Sequence, residues 1–498
     1  MKSRQILLNA LTTVAQEFGS AVVLFFLFRF LVHALGIDRV GIWSLVLATT
    51  SVATLANQGF ATSVAKYIAK NVAADRPGDV ALLVETALLS LGGPLIVVSV
   101  CLYPVAKWIL ALLLPHPYVA EAVAILPYAL ISLFLSLIAS ILQAGLDGHQ
   151  LITHRNYVLL GSSIIYLSLA YVVVPRYGIL GLAYSQVAQA GACLVATWIL
   201  LHRQIPQLPV VPRRWSRAYF REIAAYAIRF QLITGSQAIR EPVTKALLAK
   251  FGGPAMTGFY DLASRWVVSF RELIVQANQV LVPTVAHLQE SDPARLPRVY
   301  RDSYRLLLFL AAPTFAFVAA ASPIVSWIWM GRYEPTFVAF VVLLAAGWLV
   351  NVLSNPAYVM DLGMGALRWV SIGCGVTAIL NLSLGFLCGK YFGSIAVVAV
   401  SACSLVLGYV LIVVSYHREN REPFGVLLPR ETGGVLLSSL AGASLLLLLL
   451  DASVSHSRVP LTVVCGISVA LILTISIFMW AHPLRRRLLN WILARLPA

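Results

Sequence analysis

Apolar stretches long enough to cross a membrane recur along the whole chain, from Ile6 to Trp480, with no long polar block between them. A helix needs about 20 predominantly apolar residues to cross roughly 30 Å of hydrocarbon. The 498-residue chain is 60% hydrophobic and 11% charged, whereas a soluble domain is about 45–50% apolar and about 25% charged. The sequence therefore predicts an all-α, polytopic membrane protein with about 14 transmembrane helices.

Turn-forming residues, such as those of Gly252-Gly253-Pro254, separate the apolar stretches. The loops are consequently short. We place the transmembrane spans near residues 6–33, 40–68, 80–111, 118–145, 156–175, 178–202, 222–250, 255–287, 303–330, 335–360, 367–388, 392–416, 432–452 and 459–480.

The formal net charge of +16 arises from basic residues in these short loops rather than from one soluble face. We therefore expect no nucleic-acid partner. Loops on the N-terminal side of the membrane contain many more Lys and Arg residues than the opposite loops. By the positive-inside rule, both termini are predicted to be cytoplasmic, as an even number of spans requires.

The longest hydrophilic stretch, Arg203 to Glu222, separates six spans from the next six. Short motifs recur across it at offsets of 215–217 residues: Gly41-Ile42-Trp43 resembles Gly258-Phe259-Tyr260, and Gly148 matches Gly363. Because six is even, the second copy would enter from the same membrane face as the first. The predicted organisation is two six-helix bundles plus a C-terminal helix pair, with a bundle at 1–203, a cytoplasmic linker at 204–221, a bundle at 222–417, and two further spans with a basic tail at 418–498.

Charged residues within the spans are the best guide to function. A charge at the bilayer centre costs about 2.5–3.5 kcal/mol, so it usually faces a bundle interior or a watery cavity. Spans 7 and 8 are unusually rich in such residues. Two interpretations are open: the charges line a cationic cavity, or they form ion pairs between helices. Under the first, the candidate substrate-binding residues are Arg29, Arg240, Lys245, Arg265 and Arg271, and the candidate ion-coupling residues are Glu17, Glu85, Glu241 and Asp261.

Two prolines interrupt these charged spans. Pro242 and Pro283 each lack a backbone N–H and can kink a helix. A bent helix could act in gating, and a static kink is the equal alternative. Asn57-Gln58-Gly59 and the stretch 351–356 are polar breaks for which we expect interhelical hydrogen bonding.

The stretches that come nearest to enzyme or metal-binding motifs lack the residues or the spacing that those motifs require. The stretch Gly385 to Tyr391 is one residue too short for a phosphate-binding loop and lacks its Ser or Thr. His149 and His154 are five apart, which does not place two ligands on one helical face. The six cysteines occur singly in apolar stretches. We therefore predict no enzymatic activity, no cofactor and no metal site.

Several stretches resemble the polysaccharide (oligosaccharide) flippases of the multidrug/oligosaccharidyl-lipid/polysaccharide exporter superfamily. The similar residues are Phe251 to Tyr260, then Ala263, Arg265 and Val282-Pro283, with Asn57 to Ile68 resembling the second-span signature. Arg265 matches the family's span-8 arginine. Arg240 and Lys245 match only approximately, because Thr244 stands where an acidic residue commonly precedes the basic one.

The resemblance implies a V-shaped pair of six-helix bundles in the bacterial inner membrane. It further implies transfer of an undecaprenyl-diphosphate-linked oligosaccharide from the cytoplasmic to the periplasmic leaflet by alternating access, for cell-surface polysaccharide biosynthesis. Implied partners are the lipid-linked oligosaccharide, membrane lipids, and a polysaccharide polymerase with glycosyltransferases. Arg and Lys in a partly dehydrated cavity suit a diphosphate. Coupling to H⁺ or Na⁺ through the acidic residues remains open beside simple neutralisation of arginines.

Two other functions compete with the flippase hypothesis. A cation-coupled exporter of drugs or other small molecules should favour acidic and aromatic lining residues, whereas the charges in spans 7 and 8 include several Arg and Lys. A non-transporting membrane scaffold would tolerate neutralisation of these charges.

Overall fold

The computed structural model is predominantly helical over the residues that it describes, which are 3–51, 55–74, 76–279, 285, 288–289, 291–427, 433–439, 441 and 444. Those residues contain no β-strand. The helices are α1 (Ser3–Leu35), α2 (Ile37–Ser51), α3 (Leu55–Ala73), α4 (Pro77–Leu113), α5 (His116–Gly148), α6 (Ile152–Tyr177), α7 (Ile179–Gln204), α8 (Arg217–Gln279), α9 (Leu296–Met330), α10 (Pro335–Met364), α11 (Leu367–Phe392) and α12 (Ser394–Glu419), with short 3-10 turns at Pro293–Arg295 and Phe424–Leu427.

Nine helices in this described part are long and apolar enough to cross a membrane. They coincide with predicted spans 1, 3–6 and 9–12. Predicted span 2 corresponds to α2 and α3, and predicted spans 7 and 8 correspond to the two segments of α8. Of predicted span 13 the structure describes residues 433–439, 441 and 444, which are helical, and predicted span 14 lies outside the described residues. The all-α polytopic prediction is therefore confirmed.

The helices of α8 meet at a sharp break. Gly253 has φ 78° and ψ −177°, which ends one helical segment at 252 and starts the next at 254. Such a backbone conformation is open to glycine, which has no Cβ, and is costly for other residues. Pro254 at the start of the second segment has no backbone N–H that needs a helical partner. The break falls at the predicted Gly252-Gly253-Pro254 turn.

Residues with positive φ recur at the repeat offset, and each stands at or near a helix boundary. Six of them form three pairs separated by 215–217 residues: Gly36 with Gly253, Gln150 with Gly365, and Gly178 with Gly393. Because non-glycine residues rarely adopt this conformation, coincidence at matching positions is improbable. The backbone thus supports the duplication that the short sequence motifs indicate.

A reciprocal close contact joins α2 to the start of the second segment of α8. A Cβ atom added at Gly41 would collide with the carbonyl oxygen of Pro254, four residues before Gly258. A Cβ added at Gly258 would lie 2.5 Å from the carbonyl oxygen of Ile37, four residues before Gly41. The contact is self-complementary, and it involves the two glycines that the sequence pairs at an offset of 217.

The chain divides into two compact units, Met1–Asp261 with Gly389–Ser394, and Leu262–Cys388 with Ile395–Ala498. In the first unit, α5 packs against α2, α3, α4 and α7, and α6 packs against α1 and α7. In the second unit, α9 packs against α10. The bundle boundaries at 203, 221 and 417 stay a prediction.

A buried carboxylate anchors the non-helical stretch between α7 and α8. Glu85 of α4 is fully buried, and its Oε2 accepts backbone N–H bonds from Arg213 at 2.9 Å and Arg214 at 3.0 Å. Its Oε1 accepts the Nε–H of Arg214 at 2.8 Å and lies 2.7 Å from Nη2. Further contacts along α4 join Thr86 to the Ser216 N–H and Ser90 to the Trp215 indole. The linker predicted at 204–221 is therefore held against α4.

We expect Gly41→Ala to destabilise the protein by about 2 kcal/mol or more, because the new methyl group meets backbone that cannot rotate away. The midpoint of thermal unfolding in detergent measures this. Gly161→Ala is the matched control, since a Cβ there meets nothing within 4 Å. Equal midpoints for both variants would contradict the close contact.

We expect Glu85→Gln to release the α7–α8 linker, since hydrogen bonds to a charged group contribute about 1.5–3 kcal/mol each. Trypsin should then cleave after Arg213 or Arg214 at least about tenfold faster than in the wild type. Glu121→Gln is the control, because Glu121 forms an exposed pair with Arg39 and such pairs contribute little. Unchanged cleavage in Glu85→Gln would show that the carboxylate does not hold the linker.

Candidate functional site

A buried lysine between two carboxylates is the most distinctive feature of the charged helices. Lys245 Nζ lies 2.7 Å from Asp261 Oδ1 and 2.8 Å from Glu241 Oε1. The side chains of Lys245 and Asp261 are 7% and 2% exposed, whereas that of Glu241 is 47% exposed. Lys245 thus has one enclosed partner and one that faces open space.

The break at Gly253 creates this arrangement. Lys245 and Asp261 are 16 residues apart in the sequence, which in an unbroken helix would separate them by about 24 Å. The chain reversal instead brings Nζ and Oδ1 into contact. Glu241 precedes Lys245 by four residues on the same helical face, the spacing at which a Glu–Lys pair can form.

The formal charges of the four side chains in this cluster sum to zero. Arg240 is also buried, so two cationic and two anionic side chains occupy one short region of the first unit. Mutual neutralisation lowers the cost of burying each charge. This geometry agrees with the ion-pair interpretation left open by the sequence, although Glu241 pairs within its own helix rather than between helices.

Arg271, in the second segment of α8, forms a contact network within the second unit. Its Nε donates to Asn351 Oδ1 of α10 at 2.9 Å, and its guanidinium lies 4.8 Å from the centre of the Trp348 ring. A salt bridge to the neighbouring Glu272 completes the set. The prediction of interhelical hydrogen bonding at Asn351 is confirmed. Arg265 lies half-buried one to two turns earlier on the same segment.

Among the residues that the structure describes, no contact of the other predicted site residues tests their assigned roles. Arg29 is exposed on α1 and Glu17 is half-buried there. Glu85 is occupied by the linker. Pro242 lies inside α8 without interrupting its helical conformation, since only Gly253 departs from it. Pro283 lies outside the described residues, as does the side chain of Asn57. The roles assigned to all these residues stay predictions.

Sequence reasoning missed a buried polar cluster at the ends of α9 and α12. Tyr300 Oη and His417 Nε2 share a hydrogen bond of 2.8 Å, and both residues are buried. His417 Nδ1 donates to the carbonyl oxygen of Glu422 at 3.1 Å. His202, at an offset of 215, similarly donates to the carbonyl of Leu208 at 3.0 Å. The repeat offset was the signal that could have found this cluster.

The comparison with protein families decides the classification. A family model described as polysaccharide biosynthesis protein matches residues 41–338, which is more than half of the chain. The chain belongs to this family. No curated protein matches the chain.

Solved structures with the same fold are membrane transporters. An inward-facing multidrug resistance transporter of the MATE family, in the MOP superfamily, is 12% identical with a TM-score of 0.72, covering 82% of this chain and 98% of its own. The lipid II flippase MurJ in an inward closed conformation is 12% identical with a TM-score of 0.70, covering 94% and 98%. A MOP superfamily transporter from Pyrococcus furiosus, described as having a binding pocket of reverse polarity, is 12% identical with a TM-score of 0.58, covering 82% and 95%. At these identities the likeness shows the fold of this family member.

We expect Lys245→Met to destabilise the protein by about 3–5 kcal/mol, because it removes the cation that lies 2.7 Å from the buried Asp261 carboxylate. Adding Asp261→Asn should recover much of that loss, since the buried negative charge is then removed as well. Thermal unfolding of the purified variants tests this, with Lys250→Met, an exposed lysine on the same helix, as control. A double variant no more stable than Lys245→Met would refute the pairing.

Proposed function

We propose that this protein is a flippase for an undecaprenyl-diphosphate-linked oligosaccharide, moving it from the cytoplasmic to the periplasmic leaflet during cell-surface polysaccharide biosynthesis. The family match carries the proposal, because the family is described as polysaccharide biosynthesis protein. The fold supports it, since the lipid II flippase MurJ is covered almost completely. Fold likeness alone does not separate flippases from drug exporters, because a MATE transporter matches with a similar TM-score.

The Lys245 cluster suits an anionic headgroup through exchange of one partner. Asp261 is enclosed and remains as the permanent counter-ion, whereas the half-exposed Glu241 is the partner that a ligand can replace. A phosphate oxygen at Lys245 would keep the lysine paired, and charge-assisted hydrogen bonds of this type are stronger than neutral ones. Glu241, once displaced, is then the candidate to take up H⁺ or Na⁺.

In the second unit, Arg265 is a separate candidate cation for binding a diphosphate headgroup. Arg271 is held by Glu272 and Asn351, and it is better suited to a fixed position near the ligand. Alternating access would then expose these groups first to the cytoplasmic side and then to the periplasmic side. The proposal includes both termini in the cytoplasm and no enzymatic step.

We expect Arg265→Gln, and separately Lys245→Met with Asp261→Asn, to reduce translocation at least about tenfold, as loss of one charge-assisted contact implies. The assay uses proteoliposomes with a fluorescent lipid-linked diphosphate oligosaccharide, and it measures the fraction that a membrane-impermeant glycosidase can reach. Lys250→Met is the matched control. The double variant removes both buried charges together, so that folding is preserved.

The outcomes separate the competing functions. Wild-type translocation in both variants would overturn the cationic-site proposal. No translocation by the wild type, together with ion-driven efflux of a cationic dye, would indicate the small-molecule exporter. Normal glycan export in cells that carry the neutralised variants, with loss of export when the whole protein is deleted, would indicate a scaffold.

A further inference from the structure

An arginine-lined cleft opens at the N-terminal end of α9, remote in sequence from the Lys245 cluster. Its volume is about 540 Å³, and it is lined by Ala294, Pro297, Arg298, Arg301, Asp302 and Arg305. Ligand clefts typically measure about 300–1,000 Å³. The three arginines follow the spacing i, i+3 and i+7, which places them along one face of the helix.

The charges of the cleft leave one net positive charge. Arg301 is held by the enclosed Glu422, with Nε and Nη2 lying 3.1 and 2.9 Å from Oε2. Arg298 is 87% exposed and lies 3.9 Å from Asp302, too far for a hydrogen bond. Arg305 is half-buried and forms no salt bridge to the acidic residues that the structure describes. The cleft and its anchor thus contain three arginines and two carboxylates, those of Asp302 and Glu422. The guanidinium of Arg301 is fixed by its salt bridge, and the arginines on either side of it can bind a ligand.

The depth of the cleft corresponds to the lipid phosphate layer. The uncharged, predominantly apolar part of α9 runs from Leu306 to Met330, about 37 Å of helix, which is enough to cross about 30 Å of hydrocarbon by itself. Arg305 then stands at the edge of the hydrocarbon, and Arg301 lies about 6 Å further out. The interfacial layer is about 5–7 Å thick on each side.

The arginines are not a requirement of the fold. At offsets of 215–217 residues, the positions of α4 that match Arg298 and Arg305 fall within 81–83 and 88–90, which hold only Ala, Leu and Ser. The matching helix of the first repeat, α4, therefore forms without these charges.

We propose that this cleft binds the phosphodiester headgroup of an anionic membrane phospholipid. One negative phosphodiester matches the single net positive charge, and guanidinium groups bind phosphate oxygens in a fork geometry. In the predicted topology this end of α9 faces the cytoplasm, where anionic lipids attract basic segments next to the membrane. The bound lipid would hold α9 at a fixed depth and would not itself be transported.

The test is lipid retention by the full-length protein in detergent, measured by native mass spectrometry with phosphatidylglycerol or phosphatidylcholine. We expect the wild type to retain phosphatidylglycerol, and Arg298→Gln with Arg305→Gln to weaken that retention about tenfold. Arg301 is left in place because it pairs with Glu422. The control is Arg217→Gln with Arg221→Gln, which removes the same charge from two exposed arginines on the first turns of α8. Thermal unfolding confirms that each variant is folded.

A lysine variant distinguishes a site that binds phosphate through guanidinium groups from basic residues whose positive charge only sets the membrane orientation. Arg298→Lys with Arg305→Lys keeps the charge but loses the fork, so we expect retention between that of the wild type and that of the glutamine variant. Equal retention of both lipids, equal loss in the Arg217 and Arg221 control, or wild-type retention in the glutamine variant would overturn the proposal. So would displacement of the lipid by millimolar inorganic phosphate, which would indicate a site for a soluble anion.

Discussion

Hydrocarbon offers no hydrogen-bonding partners to a peptide backbone, and the chain reversals that the structure describes between its helices follow from that constraint. A helix satisfies its own N–H and C=O groups, but a break between helices does not. Several of the described breaks are short turns that use residues with positive φ, whereas a longer stretch joins α7 to α8. The break at Gly253 has a further structural consequence, because it brings Asp261 to Lys245.

Neutralisation governs the polar chemistry between these breaks. Lys245 with Asp261, Arg271 with Glu272, and Glu85 with Arg214 each place opposite charges in contact. Each pair lowers the cost of burial, but it also removes the free charge that a ligand would need. A site for an anion must then be built from a cation whose partner can leave. The exposure of Glu241 beside the enclosure of Asp261 distinguishes such a partner from a permanent one.

The helical fold could be predicted because apolar length is a property of each segment alone. The break at Gly253 could also be predicted, since Gly-Gly-Pro is a strong turn signal. The partners of the charges were not readable in the same way. Lys245 contacts Asp261 across a chain reversal, and Glu85 accepts bonds from the backbone of a linker more than 120 residues away. Such contacts depend on which helices pack together, and one sequence does not give that packing. The offset of 215 residues pairs His202 with His417 in the sequence, but the contact of His417 with Tyr300 depends on helix packing in the same way.

The two repeats that the 215–217-residue offset indicates carry different charges at matching positions. Glu85 on α4 binds Arg213 and Arg214 after α7, whereas Arg301 on α9, at an offset of 216, binds Glu422 after α12. The two anchors fix matching chain segments with opposite polarity, so either sign satisfies the fold. Polarity at this position was consequently free to change. In the second copy the helix carries the arginine, and two further arginines on the same face turn a structural anchor into a cationic cleft. In the first repeat, the positions that match Arg298 and Arg305 hold leucines and other uncharged residues. The arginine cleft is therefore specific to the second repeat, and the fold common to both repeats does not require it.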